Sequence, residues 1–343
     1  MGGFNMRKHL GFSTGFNSGR FGALVAKICR YFTTLDGTAD YYTIPTVSLA
    51  GDFEIEFDTT TVQTTTEVFL GNGTNTDDYI ASISGTSIKV KIGGVDVSTI
   101  AATFNDGKLH NIKVKRVGTT VTTYLDDVSI GSGTSANTFV IAKLGAYNAI
   151  AELFHTGVIS EVKITDGTDL IRYYKIDEDL SATSTIIDSG SDGSNGTAVS
   201  ITSSELFTLE GADWIGAELV TNGSFATDLS SWVITGEDGT HSITWDNGSA
   251  LFLSDTTTPA LKMEQILSSI IVGCAYKLTH NISVNSGTNT IKYSSAFNNL
   301  VLIDGIAEQI EIAANTFYSI TRNSVNVDLN INQLSVKRIL QAP

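Results

Sequence analysis

The chain of 343 residues is long enough for two ordinary domains with sizeable cores. Thirty-two Gly against three Pro, with abundant Thr, Ser, Val and Ile, favour short strands joined by Gly, Asn and Asp turns over a helical protein. A net charge of −15 repels phosphate backbones and argues against nucleic acid as a partner, and no stretch approaches the roughly 18 apolar residues that would insert in a membrane.

Residues 1–29 read as a basic arm. Arg7, Lys8, Arg20, Lys27 and Arg30 precede the first acidic residue, which leaves 16 basic residues against all 36 acidic ones on the remainder. Phe21, Leu24, Val25, Ile28 and Phe32 recur at helical spacing behind Ser18, a suitable N-cap, which predicts a short helix over 18–28. An arm this small buries no core of its own, so it is either a solvated tail or an anchor held in an assembly. The anchoring alternative assigns the contact to Arg7, Lys8, Arg20, Phe21, Leu24, Lys27, Ile28 and Arg30. The run Phe21 to Cys29 is interrupted by Lys27 and lacks the small-residue cleavage site of a secretory signal.

A first domain is expected over residues 30–212. In Gly51 to Asp58, Phe53, Ile55 and Phe57 alternate with Glu54, Glu56 and Asp58, the period of a half-buried strand. Further strands are predicted at 67–70, 79–83, 87–92, 108–116, 121–126 and 158–164, separated by turns at 71–77, 93–94, 105–107 and 117–118. Strands this short and this regularly punctuated predict a sandwich or jelly roll. The Ser- and Gly-rich stretch 189–196 reads as a trailing hairpin or loop of this domain. A second domain is expected over 213–343, from the strand patterns beginning at Glu218 to those ending at Leu340.

Several residue patterns resemble known modules. Asp36-Gly37 followed by Asp40-Tyr41, Asp106-Gly107 with His110, and Gly157-x-Ile159-x-x-Val162 resemble the laminin-G/concanavalin-like sandwiches common in bacteriophage structural proteins. Leu109 stands where that family usually carries Trp. Asp188, Ser189, Gly190, Gly193, Asn195 and Gly196 resemble a second element of phage proteins. In the second domain, Asn222-Gly223-x-Phe225 followed by Trp232 resembles the start of carbohydrate-binding-module jelly rolls. Ser224 replaces the acidic residue that helps hold calcium there. The resemblance implies a phage virion structural protein: a tail fibre, head fibre or decoration component whose lectin-like domains bind host-surface polysaccharide. Its partners would be other virion proteins, through the arm, and further copies of itself, trimeric by analogy with fibres.

No catalytic chemistry is predicted. Glu54 and Glu56 share a strand face, but the Glu-x-Asp-x-x-Glu pattern of concanavalin-like glycosidases fails at Glu56 and Thr59. His9, His110, His155, His241 and His280 show no metal-ligand spacing, so neither a metal site nor a cofactor is assigned. Calcium is the one ion left open, through Asp36, Asp40, Asp77, Asp78, Asp126 and Asp127, all turn residues whose ordinary role is bonding their own backbone. Cys29 and Cys274 fall in different predicted domains, and no disulfide between them is supported. For sugar stacking, Trp245 beside an Asp-Asn-Gly turn and Tyr293 are the candidates, whereas Trp232 is assigned to the core. The expectation is therefore an all-β, non-enzymatic chain of two antiparallel sandwiches behind a basic arm. A ligand-free cementing protein of a capsid or tail, and a glycan depolymerase, are the alternatives.

Overall fold

The computed structural model describes residues 29–74, 77–147, 153–210, 213–255, 260–267, 270–286, 290–297, 300–323 and 326–340. Among them every regular element is a β-strand, and the strands pair antiparallel in four sheets that form two sandwiches. The helix expected over 18–28, and the anchor residues Arg7, Lys8, Arg20, Phe21, Leu24, Lys27 and Ile28, lie outside the described residues.

One sheet of the first sandwich runs Val128–Thr134, Thr120–Leu125, His110–Val117, Phe53–Thr59, Thr156–Asp166 and Asp169–Tyr174, with Thr34–Asp36 beside the start of Thr156–Asp166. The opposing sheet runs Thr185–Ile186, Gly196–Val199, Tyr41–Leu49, Phe139–Leu144, Glu67–Gly71, Tyr79–Ile83, Ser87–Ile92 and Val95–Ala101. Phe53, Ile55 and Phe57 are buried between the sheets with Ile112 and Val114, while Glu54, Glu56 and Asp58 face outward. Each aliphatic or aromatic side chain so buried contributes about 1.5–3 kcal/mol, which is why the alternation fixes which face points inward. Arg116 occupies an inward position of its strand at 1% exposure. Its guanidinium lies over the Phe53 ring and donates to the carbonyls of Leu49, Gly51 and Asn137, so its charge is paired with backbone dipoles at the end of the core.

The second sandwich is organised by the long strand Val327–Leu340. Ala275–Val284 pairs along one side of it; Ser249–Ser254 pairs with the first half of the other side and Asp213–Glu218 with the second half. His241–Asp246 and Gly305–Ile312 extend this sheet at its ends. The facing sheet runs Val233–Thr235, Lys262–Ile266, Phe317–Arg322, Ile291–Ser295 and Val301–Leu302. Between them Phe225, Trp232, Tyr276, Tyr293, Phe297 and Tyr318 form an aromatic core with ring centroids 5.4–6.2 Å apart.

The sandwiches do not divide where the sequence pattern ends one and begins the other. Cys29–Phe32, which straddles the expected boundary between arm and first domain, and Glu205–Glu210, placed by sequence in the first domain, pair with each other, and Glu205–Glu210 pairs with Asp213–Glu218 in the sheet of the second. Arg30, named by sequence among the anchoring residues, is thereby a strand residue. Its guanidinium meets Glu161 at 2.5 Å across the junction and lies over Phe32. Phe32, Phe207 and Leu340 pack with Val158 of the first sandwich, and Trp214 borders them. Gly107 completes the contact. It has φ +77°, and a Cβ there would lie 2.9 Å from the carbonyl oxygen of Gly273, so the Asp106-Gly107 turn of one sandwich seats against the loop before Ala275–Val284 of the other. Cys274, in that loop, is buried and free.

Candidate saccharide-binding site

The seam between the sandwiches leaves a cleft of about 570 Å³, within the range of small-molecule sites and at the kind of domain boundary where such sites concentrate. Six short segments build it. Thr34 and Asp36 come from the strand entering the first sandwich, Thr156 from the strand beside it, Ser203 and Ser204 from the connector, and Glu205 and Arg338 from the sheet of the second sandwich. Phe32, Leu35, Leu219 and Ile271 supply its apolar lining.

Arg338, 4% exposed, is the fixed point of this wall. Its Nη1 donates to Thr34 Oγ1 at 2.6 Å and lies 3.7 Å from Glu205 Oε2, and its Nη2 lies 3.8 Å from Cys274 Sγ. One guanidinium thus joins the last described strand to the first sandwich. Burial pushes the Glu205 carboxyl above its ordinary range, and the facing Arg338 and the Ala217 N–H only partly reverse that. Glu205 Oε1 and Arg338 Nε are buried with no hydrogen-bond partner, polar capacity that the wall itself does not use. Asp36 is different. Its desolvation is outweighed by bonds from the Thr38 hydroxyl and the N–H groups of Ala39, Thr38 and Asp40, which hold its carboxyl down at about 2. Two carboxylates against one guanidinium disfavour an anionic ligand. Threonine and serine hydroxyls together with apolar side chains suit a neutral molecule with hydroxyls on its edge and C–H groups on its face.

Trp245, predicted from sequence, sits at the rim of the second sandwich. It shares parity with the buried His241 and Ile243, but it lies beside the Asp246–Ser249 turn and projects past the core, 43% exposed. Its Nε1 donates to the Phe225 carbonyl at 2.8 Å, which fixes the ring edge and leaves part of the indole to solvent. The turn carrying Phe225 is held from inside too, since Trp232 Nε1 donates to the Asn222 carbonyl. Gly223 is required there because a Cβ would lie 2.1 Å from the Leu334 carbonyl oxygen. The Asn-Gly-x-Phe…Trp pattern therefore builds a turn-and-core lock in this chain.

Tyr293 is not brought to a surface. It is fully buried among Phe297 and Tyr318, where a sugar cannot stack on it, and burial drives its phenol far above the usual range. Ile291, on the same face of its strand and equally buried, was the local signal for that placement. Glu54 and Glu56 are each joined to a lysine, Lys115 at 2.9 Å and Lys163 at 3.3 Å, in a cross-strand ladder. Among the described residues no group of three or more His, Cys, Asp or Glu side chains gathers to hold a metal ion. Asp78 receives bonds from Asn72 and the Gly93 N–H, Asp126 from Asn111 N–H and His110, and Asp127 from Lys113. His110, the motif histidine, faces Asp126 at 2.8 Å and Asp106 at 3.0 Å and ties two turns together. No described helix is long and apolar enough to cross a membrane.

No family model matches the chain, and no curated protein matches it. Among solved structures, a putative carbohydrate-binding protein from Bacteroides ovatus ATCC 8483 aligns over 54% of this chain at 14% identity with a TM-score of 0.42. The alignment spans only 61% of that protein's own length. Domains LG4–5 of the mouse laminin α1 chain align over 97% of this chain and 92% of theirs, at 12% identity and a TM-score of 0.34. At these values neither likeness carries a functional argument; the sandwich architecture rests on the strand pairing described above.

Proposed function

We propose that this chain is a non-catalytic saccharide-binding protein whose principal site is the cleft between its two sandwiches. The observation that carries this reading is the cleft itself: about 570 Å³, lined by both apolar side chains and hydroxyls, with the Arg338–Glu205 pair in its wall. The half-exposed Trp245 supports a second, shallower contact for the same class of ligand at the far rim, because an indole face stacks on sugar C–H groups. Single sites of this kind bind weakly and gain avidity when many copies are displayed together. In the form the sequence resemblance implies, that display is on a virion surface, with residues 1–29 tethering a tail fibre, head fibre or decoration component.

A glycan array probed with the full chain, the Ser203→Trp variant and the Trp245→Ala variant tests the reading. Ser203 is exposed at the mouth of the cleft, so the indole fills the site without entering either core. Binding of neutral glycans that Ser203→Trp abolishes supports the cleft, and loss in Trp245→Ala alone moves the site to the rim. No binding by the wild type sinks the proposal and favours a ligand-free cementing role, and release of reducing sugar makes the chain a depolymerase. Particles that still incorporate a chain lacking residues 1–29 remove the tethering role of the arm.

A further inference from the structure

The edge strand Gly305–Ile312 has its polarity reversed. Register with Ala275–Val284 puts Gln309 opposite Leu278 and Glu311 opposite Tyr276, on the row that faces the core. Ile306, Ile310 and Ile312 lie on the outward row, opposite Asn281, Lys277 and Ala275, and are 75%, 45% and 44% exposed. Among the described residues the other edge of this strand has no pairing partner. Val301 and Ile303, also exposed, precede it in the chain, and Val301–Leu302 is the end strand of the facing sheet, so both sheets present aliphatic side chains along the same edge of the sandwich. A long, unpaired, aliphatic edge is a template for another strand, and proteins that stay monomeric block such edges with charged residues, above all lysine, with proline or with a bulge. This strand has no lysine, proline or bulge, and its two charges are Glu308, held by Lys277, and Glu311 on the inward row.

We propose that Gly305–Ile312 pairs antiparallel with the same strand of a second copy of this chain, forming a two-fold dimer with one continuous sheet. The strand's own sequence restricts the register. A two-fold axis at Gln309 sets Ile306 beside Ile312 of the second copy and Glu308 beside Ile310, so no glutamate faces a glutamate. Moving the axis one residue, to Glu308, would oppose that glutamate to its own copy, and like charges directly opposite destabilise a pair. Glu308 is already neutralised by Lys277, at 3.2 Å. Two bodies of −15 charge repel each other, so self-pairing strengthens with salt, whereas capture of a basic peptide on the same edge weakens with it. The symmetry is two-fold, unlike the three-fold arrangement expected from fibres.

Sedimentation of the full chain across a concentration series, at low and high salt, tests this. The wild type is expected to reach twice the chain mass, at lower concentration when salt is high. The double variant Ile306→Lys/Ile310→Lys is expected to lose the dimer while melting like the wild type, since both side chains are solvent-facing. Ile266→Lys, at another exposed aliphatic site, is the control and should leave the dimer intact. A wild type that stays monomeric at every salt concentration overturns the proposal. So does a trimer, a dimer that survives the double variant, or one that Ile266→Lys dissociates. None of these outcomes depends on whether a saccharide binds.

Discussion

Replacing Phe32 by alanine tests whether the two sandwiches are locked through the strand that sequence reading assigned to the first. Phe32 is 2% exposed, its ring lies edge-on to Phe207 at 5.3 Å and to Trp214 at 5.4 Å, and the Arg30 guanidinium covers it at 4.8 Å. Truncating a buried phenylalanine costs about 3–5 kcal/mol. Against a total stability of about 5–15 kcal/mol, a loss near 4 is large, and it falls on the cluster that joins Val158 to Phe207 and Leu340. All three tryptophans, Trp214, Trp232 and Trp245, belong to the second sandwich, so fluorescence follows that half while far-UV circular dichroism follows both. In urea, the wild type is expected to give coincident transitions by the two probes, and Phe32→Ala separated ones with a lower fluorescence midpoint. Coincident transitions in the variant with a loss below about 1 kcal/mol would refute the joint, because that is less than the transfer of a phenyl ring alone.

Arg116→Met keeps much of the stem volume but leaves the carbonyls of Leu49, Gly51 and Asn137 without that donor. The expected loss is about 3 kcal/mol by chemical denaturation, and a neutral result would mean water replaces the guanidinium. Asp36→Ala removes a carboxylate whose folded pKa is lowered to about 2 from 3.8. A depressed carboxyl contributes stability above its unfolded pKa and loses it as pH falls through the folded one. The wild type should therefore exceed the variant by about 1 kcal/mol near neutrality, after discounting for solvent screening, and the gap should close between about pH 4 and pH 2. A gap that stays constant over that window would place the effect in packing. His280 is buried, and burial lowers its pKa despite a bond to the Ile303 backbone, so its charging opposes folding. Stability should be full above about pH 6.5 and fall as pH drops below it, and His280→Gln should flatten that fall in a pH series of thermal melts.

Local alternation was the part of this fold most open to reading from sequence. Tyr79–Ile83 and Ser87–Ile92 lie where period two and the flanking turns put them, and Phe53–Thr59 alternates as its sequence does, because a half-buried antiparallel strand records its environment in every second residue. Trp232 is in the core as its position implied. What could not be read is long-range partnership. Nothing local in Cys29–Phe32 says that it pairs with a strand some 175 residues later, and Arg338 resembles any surface arginine until the register places it beside Thr34. The cleft escaped for the same reason: each contributing segment is ordinary, and only their convergence makes a site. Arg116 was legible in principle, since it occupies the inward row of its strand with Ile112 and Val114, a position that demands partners for a charge. The reversed polarity of Gly305–Ile312 was hidden by its alternation, which shows two faces but not which one meets the core.

A structure of the protein bound to a neutral saccharide selected on the array locates the binding site. The sugar is expected in the seam between the sandwiches, its hydroxyls within hydrogen-bonding distance of Ser204, Glu205 or Thr156. A sugar seated elsewhere, with the seam empty, would rule the seam out as the site.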